Sequence, residues 1–99
     1  MEEKQLYIEA INKLGGMIQL DIMVEECAEL IQALNKFKRA RTDEQRSICW
    51  DNICEEIADV EIMIGQIKVL FNNNEKQINK WKAEKLGQLR GLLDATPTC

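Results

Sequence analysis

Two short segments of the chain carry acidic residues in the same pattern. The first is EECAEL over residues 25–30, and the second is EEIADV over residues 55–60. In each, an i, i+3 spacing would put two carboxylates about 5–6 Å apart on one side of a helix. Carboxylate oxygens are the ligands that hard cations such as Mg²⁺ and Mn²⁺ prefer. The pattern predicts an all-oxygen metal site formed by Glu26, Glu29, Glu56 and Asp59.

The positions of these acids on their helices favour a site over a solvated surface. On a helical wheel Glu26 falls beside apolar residues and Glu56 falls inside an apolar sector, with Glu29 and Asp59 at the margins. A carboxylate buried alone costs several kcal/mol, so four of them need two bases or a metal ion. The alternative is that both pairs are exposed, because a single E-x-x-E motif is common on solvated helix faces.

Zinc and disulfide chemistry are not expected. The chain has four cysteines without a CxxC pair, and it has no histidine to complete a mixed zinc site or a di-iron Glu-x-x-His motif. Reduced thiols in a reducing compartment are the simpler interpretation. The expected location is therefore the cytoplasm, and the acidic first residues, MEEKQ, do not resemble a secretory signal.

The distribution of apolar residues predicts an all-α fold in a single domain over residues 1–99. No segment alternates apolar and polar residues, and there is one proline. Gly15-Gly16 should break the first two helices, Thr42 or Asp43 can cap the third, and the asparagines at 72–74 should form a turn before the fourth. The predicted helices of this four-helix bundle-like domain are 2–14, 17–40, 47–71 and 75–93, with a frayed tail over about 94–99.

Self-association is expected from the size of the chain and from its third helix. A chain of 99 residues is near the lower end of what buries a sufficient core. The third helix is apolar nearly all round, which indicates that it is enclosed, and a second copy of the chain could supply the cover. A homo-oligomer, dimer or tetramer, is predicted. A net charge of −4 argues against nucleic acid as a partner, and no apolar run is long enough for a membrane span.

The paired acidic motifs resemble the signature of the MazG-like all-α nucleoside triphosphate pyrophosphohydrolases. The likeness lies in E-x-x-E within EECAELIQAL, E-x-x-D within EEIADVEIMIGQ, and a closing lysine-rich helix containing AEKLGQLRGL. It covers about residues 20–93. The resemblance implies a Mg²⁺-dependent enzyme, with Mn²⁺ as a substitute, that hydrolyses a nucleoside or deoxynucleoside triphosphate to the monophosphate and pyrophosphate. It also implies that Glu26, Glu29, Glu56 and Asp59 are metal ligands. One of them, Glu26 or Glu29, could orient or deprotonate the attacking water.

Candidate substrate-binding residues are less strongly indicated. Lys85 falls in the apolar arc of the fourth helix, where a lysine either extends outward or holds an anion, and the resemblance favours the anion. Lys82 and Arg90 are further candidates for phosphate. Gln19 lies two turns before Glu26 and could bind a base or lie on the surface, and Asn52 borders Asp59. Trp50 and Trp81 could stack on a ring, although packing in a core or interface is the simpler expectation.

Two other functions stay open at this point. The chain could be a non-catalytic helical interaction module whose acids only solvate a bundle. It could also be a regulator that binds metal and nucleotide without hydrolysis.

Overall fold

A computed structural model describes residues 2–72 and 74–98, and these form four α-helices and no strand. The helices are α1 (Glu3–Leu14), α2 (Gly16–Arg39), α3 (Asp43–Leu70) and α4 (Glu75–Ala95). The all-α prediction is therefore confirmed. Asn73, from the predicted asparagine turn, and Cys99, from the predicted tail, lie outside the described residues. Within the described ranges, every helix is too short or too polar to cross a bilayer.

The break between α1 and α2 occurs at the predicted glycines. Gly15 has φ of 95°, a left-handed conformation that glycine adopts without steric cost, and its amide donates to the carbonyl of Ile11. Gly16 then begins α2 beside the end of α3. A Cβ atom at Gly16 would lie 2.8 Å from Leu70 Cδ1, so this residue also permits close packing of the two helices.

Helix α3 begins four residues earlier than predicted. Thr42 is its N-cap, with Thr42 Oγ1 accepting a hydrogen bond from the Gln45 amide at 3.1 Å. The side chain of Gln45 in turn accepts from the Arg41 amide at 2.9 Å. This reciprocal arrangement is close to a capping box, and it satisfies amides that a longer loop would leave to water. The polar residues 43–46 are therefore helical, and the connection from α2 is only residues 40–42.

The short connection makes α2 and α3 an antiparallel pair, which is the main packing unit of the chain. Helix α1 packs mainly against α3 and less against α2. Tyr7 is buried where α1 meets α3, and a Cβ atom placed on Gly65 would lie only 2.6 Å from Tyr7 Cε2. The absence of a side chain at Gly65 thus allows α1 to approach α3.

Helix α4 does not join this packing, so the expected four-helix bundle is wrong in one respect. Asn74 occupies the N-cap position, but its side chain makes no capping hydrogen bond. Ile78 is partly buried, whereas every described residue from 79 to 98 is exposed. Three helices pack together and the fourth extends from them, because its apolar side chains past Ile78 are exposed and are not covered by the other described helices.

The broad apolar sector of α2 is also largely uncovered. Val24, Ile31 and Leu34 are exposed, and the buried residues of α2 are Gln19 and Ala33. Helix α3 is not enclosed within the chain either, since Met63 is its one buried residue. A helical wheel shows how wide an apolar sector is, but the neighbouring helix determines which part of it is covered.

Candidate metal centre

The antiparallel pairing of α2 and α3 brings the two acidic motifs to the same level. Glu26 lies fourteen residues before Ala40, and Glu56 lies fourteen residues after Thr42, at the two ends of the short connection. With the same rise per residue in both helices, the two glutamates must lie across from each other. Glu29 and Asp59 each follow three residues later in their helix and therefore lie on the same face as this pair. Because the helices are antiparallel, Glu29 lies one turn nearer the connection and Asp59 one turn further from it.

All four predicted carboxylates form one cluster. One carboxylate oxygen from each residue lies within 4.8 Å of the corresponding oxygen of every other residue. Glu26, Glu56 and Asp59 are partly buried, whereas Glu29 is exposed. The cluster is therefore enclosed between the helices and open to solvent on the side of Glu29.

Two oxygens of the cluster are buried and have no hydrogen-bond partner among the residues that the structure describes. They are Oε2 of Glu26 and Oε2 of Glu56, one from each helix. A buried polar atom is normally paired with a donor, and leaving it unpaired is costly. No salt bridge to any of the four acids is present among the described residues, where the single ion pair joins Arg46 and Asp43. The compensating bases considered from the sequence are therefore not supplied by this part of the chain.

Burial and mutual repulsion raise the pKa of both opposed glutamates. For Glu26 the main cause is desolvation, followed by the negative charges of Glu29, Asp59 and Glu56. The pKa of Glu56 is raised by desolvation and then by the charges of Glu29 and Asp59. Both shifts have the sign expected when carboxylates share a site without a cation. A bound divalent ion would reverse this effect by favouring the charged forms.

The donor set fits a hard divalent cation. It consists only of oxygen atoms, which suits Mg²⁺, Mn²⁺ or Ca²⁺ and not zinc. Two oxygens on opposite sides of Mg²⁺ are about 4.1 Å apart, and around Ca²⁺ they are about 4.6–5.2 Å apart. The 4.8 Å spread of the four oxygens is thus slightly wider than one magnesium ion requires. Small side-chain rotations would close the difference.

The other polar residues predicted for the site on α2 and α3 differ in exposure. Gln19 is 2% exposed, so it is not the surface residue that one expectation allowed. Asn52 is partly buried on α3. Their roles as substrate-binding residues stay predictions. Gln66, which was not predicted from the sequence, has a buried Oε1 atom with no hydrogen-bond partner within residues 2–72 and 74–98. It lies seven residues after Asp59 on the same side of α3, and that spacing was the available signal.

The three basic candidates lie on α4 and are not brought to the carboxylates. Lys82, Lys85 and Arg90 are all exposed, and α4 is not packed against α2 or α3 at their level. Lys85 Nζ lies 5.9 Å from the centre of the Trp81 ring, and Lys80 Nζ lies 6.0 Å from it. Such contacts with the face of an aromatic ring hold a cation weakly at the surface. Phosphate binding by these residues stays a prediction.

The described cysteines are free thiols. They are Cys27, Cys49 and Cys54.

Comparisons with protein families, with curated proteins and with solved structures find no match to this chain. Any function must therefore be inferred from the site itself.

Proposed function

We propose that the chain is a Mg²⁺-dependent nucleoside triphosphate pyrophosphohydrolase of the MazG-like kind, with Mn²⁺ as a possible substitute. One observation carries this proposal. Four carboxylates from two helices converge, and two of their oxygens are buried without a hydrogen-bond partner in the described part of the chain. The E-x-x-E and E-x-x-D motifs that resemble the MazG-like signature are the ones that supply the cluster. A solvated acidic face would leave these oxygens in water.

In this proposal Glu26 and Glu56 are the enclosed ligands, and Glu29 and Asp59 complete the set. When bound, Mg²⁺ would neutralise phosphate charge and make a coordinated water more acidic. The phosphate end of the substrate would approach the cluster from its open side, where Glu29 is exposed. We assign to Glu29 the orientation of the attacking water, because it is the one ligand of the four that solvent reaches freely.

The reaction is the addition of water across the bond between the α and β phosphates. The water oxygen bonds to one phosphorus atom, the bridging oxygen leaves with the other, and a carboxylate accepts the released proton. The products are a nucleoside monophosphate and pyrophosphate. In this proposal Lys82, Lys85 and Arg90 are candidates to contact the triphosphate, and Gln19 and Asn52 are candidates to contact base or sugar. Removal of unwanted nucleotides would be a suitable role.

A panel of nucleoside and deoxynucleoside triphosphates incubated with Mg²⁺ tests the proposal. We expect pyrophosphate, and not orthophosphate, from at least one substrate. Glu56→Gln should reduce release by at least about 100-fold, since a ligand should matter no less than the outer residues that support it. Glu61→Gln, an exposed acid on the same helix, is the matched control and should retain activity. Absence of pyrophosphate with every substrate would overturn the proposal.

A second candidate function is a helical interaction module, and one observation favours it. Large apolar side chains are exposed along α2, α3 and α4. Such a module would release no pyrophosphate, and its melting temperature would not depend on Mg²⁺. A regulator that only senses nucleotide would bind Mg²⁺ and triphosphate in calorimetry and leave the triphosphate intact.

A further inference from the structure

The side of α2 and α3 that carries the carboxylates continues past the cluster in two directions. We call this side of the two helices, on which Glu29 and Asp59 lie, the acidic face. In one direction it leads to α1, and in the other it leads to the connection at residues 40–42. A nucleoside triphosphate extends beyond the metal that holds its phosphates. The surroundings of the cluster in these two directions therefore bear on how the substrate lies.

Towards α1 the acidic face becomes apolar and then buried. The next side chains on this face are Ile22, seven residues before Glu29, and Ile62, three residues after Asp59. Two turns from the cluster Gln19 is only 2% exposed, near the level at which α1 meets α3. Phosphate groups placed in this direction would lose their hydration against apolar side chains, which is costly.

Towards the connection the acidic face is polar and open, and it leads to a cation. Asn52 is partly buried four residues before Glu56, and Gln32 is exposed three residues after Glu29. Lys36 follows seven residues after Glu29, so it lies on the same side of α2, about 10 Å further along the helix axis. Side chains on a helix lean towards its N-terminus, which directs a lysine at this position back towards the cluster.

Lys36 differs from the neighbouring basic residues in its direction and in its free charge. Lys38 is also exposed, but two residues further along a helix the side chain points to the opposite side. Arg46, on α3, is paired with Asp43 at 2.7 Å. Because this is the single ion pair among the described residues, Lys36 has no acidic partner there. The helix dipole favours any basic residue near the end of α2, but it does not explain why one lies on the acidic face.

We propose that Lys36 contacts the β and γ phosphates of the substrate, which leave together as pyrophosphate. This inference rests on the proposed function and adds the direction in which the substrate lies. The charged phosphates extend from the cluster towards the connection, and the uncharged nucleoside lies on the apolar side, next to Ile22. A lysine binds phosphate as a point charge and needs no fixed geometry, so an exposed position is sufficient.

Calorimetric titration of the full chain with inorganic pyrophosphate in the presence of Mg²⁺ tests this contact without turnover. Lys36→Gln should weaken pyrophosphate binding about tenfold, because it removes a hydrogen bond between charged groups. It should leave the binding of nucleoside monophosphates unchanged. Lys36→Arg keeps the charge and should retain most of the affinity for pyrophosphate. Lys38→Gln is the matched control on the opposite side of α2, and it should bind pyrophosphate as the natural chain does.

Steady-state kinetics separate this inference from the proposed function. With a triphosphate that the chain hydrolyses, Lys36→Gln should raise both the KM and the inhibition constant of pyrophosphate, whereas Lys38→Gln should raise neither. A chain that hydrolyses no triphosphate refutes the proposed function, but the titration still tests Lys36 because it needs no turnover.

Three results of the titration would each refute the role of Lys36. The natural chain does not bind pyrophosphate with Mg²⁺, or Lys36→Gln and Lys38→Gln bind it equally well, or Lys36→Gln weakens the binding of monophosphate instead. Circular dichroism checks that each variant keeps its helices.

Discussion

The sequence predicted that the carboxylate cluster and helix α4 would contribute to one site. In the structure the carboxylates come together, and the basic residues of α4 lie apart from them. The acids of α2 and α3 converge and are partly enclosed. The basic residues of α4 are exposed on a helix that is scarcely packed against the rest of the chain. The difference shows what positions the acids. Only three residues join α2 and α3, so the rise of each helix places the two motifs opposite each other. The position of α4, which follows a turn, depends on contacts with the other helices, and its described residues past Ile78 are all exposed.

The cluster should make stability depend on Mg²⁺ and on pH. Mg²⁺ at about a hundred times its Kd would add about 2.7 kcal/mol to the free energy of unfolding, which raises the melting temperature of a domain this size by roughly 10 °C or more.

Without metal the pKa values of Glu26 and Glu56 are raised in the folded state, so the folded chain binds more protons than the unfolded chain. Its stability should then fall as the pH rises from the usual carboxyl range through these raised values.

Thermal melts at several pH values, with and without Mg²⁺, measure both effects. Glu56→Gln should remove most of the gain from Mg²⁺ and should melt higher than the natural chain when metal is absent, because it removes a repelled carboxylate. Glu61→Gln should change neither quantity. If the melting temperature is indifferent to Mg²⁺ in every variant, the cluster does not hold that ion.

Substitutions at two glycines test the difference between the packed helices and the exposed helix α4. Gly65→Ala places a methyl group 2.6 Å from Tyr7 Cε2 and should lower the free energy of unfolding by about 1–3 kcal/mol as α1 is displaced. Gly87→Ala, on α4, meets no atom within 4 Å and should stabilise the chain by up to about 1 kcal/mol through helix propensity. Urea titrations measure both changes. Equal effects at the two positions would contradict the contrast between packed and open regions.

Two lysines beside Trp81 test whether α4 contributes to the substrate site. Lys85→Gln should raise the KM for the triphosphate by up to about fivefold, the size expected for an exposed charge contact. Lys80→Gln is the matched control, since both ammonium groups lie about equally far from the Trp81 ring. The control should have unchanged kinetics, and steady-state kinetics measure the difference. If the two variants behave alike, α4 holds no substrate phosphate through Lys85.

Much of the local structure could be predicted from the sequence. The glycine break, the Thr42 cap and the helical periodicity depend on residues close together in the chain, so the four helices follow from them. The start of α3 was missed because the polar residues 43–46 resemble a loop until the cap at Thr42 is recognised. The four acids could be identified because i, i+3 spacing puts each pair on one side of its helix.

Which side of each helix is covered depends on the packing of the helices. Glu26 and Glu56 lie opposite each other because the connection between their helices has three residues, whereas the sequence predicted a longer connection. The exposure of Val24 and Ile31 depends on which side of a broad apolar sector the neighbouring helix occupies. Helix formation depends on local hydrogen bonds and propensity, whereas burial depends on contacts between residues far apart in the chain. For this reason the acids were found from their spacing, and the exposure of apolar side chains on α2 and α3 was found only from the packing.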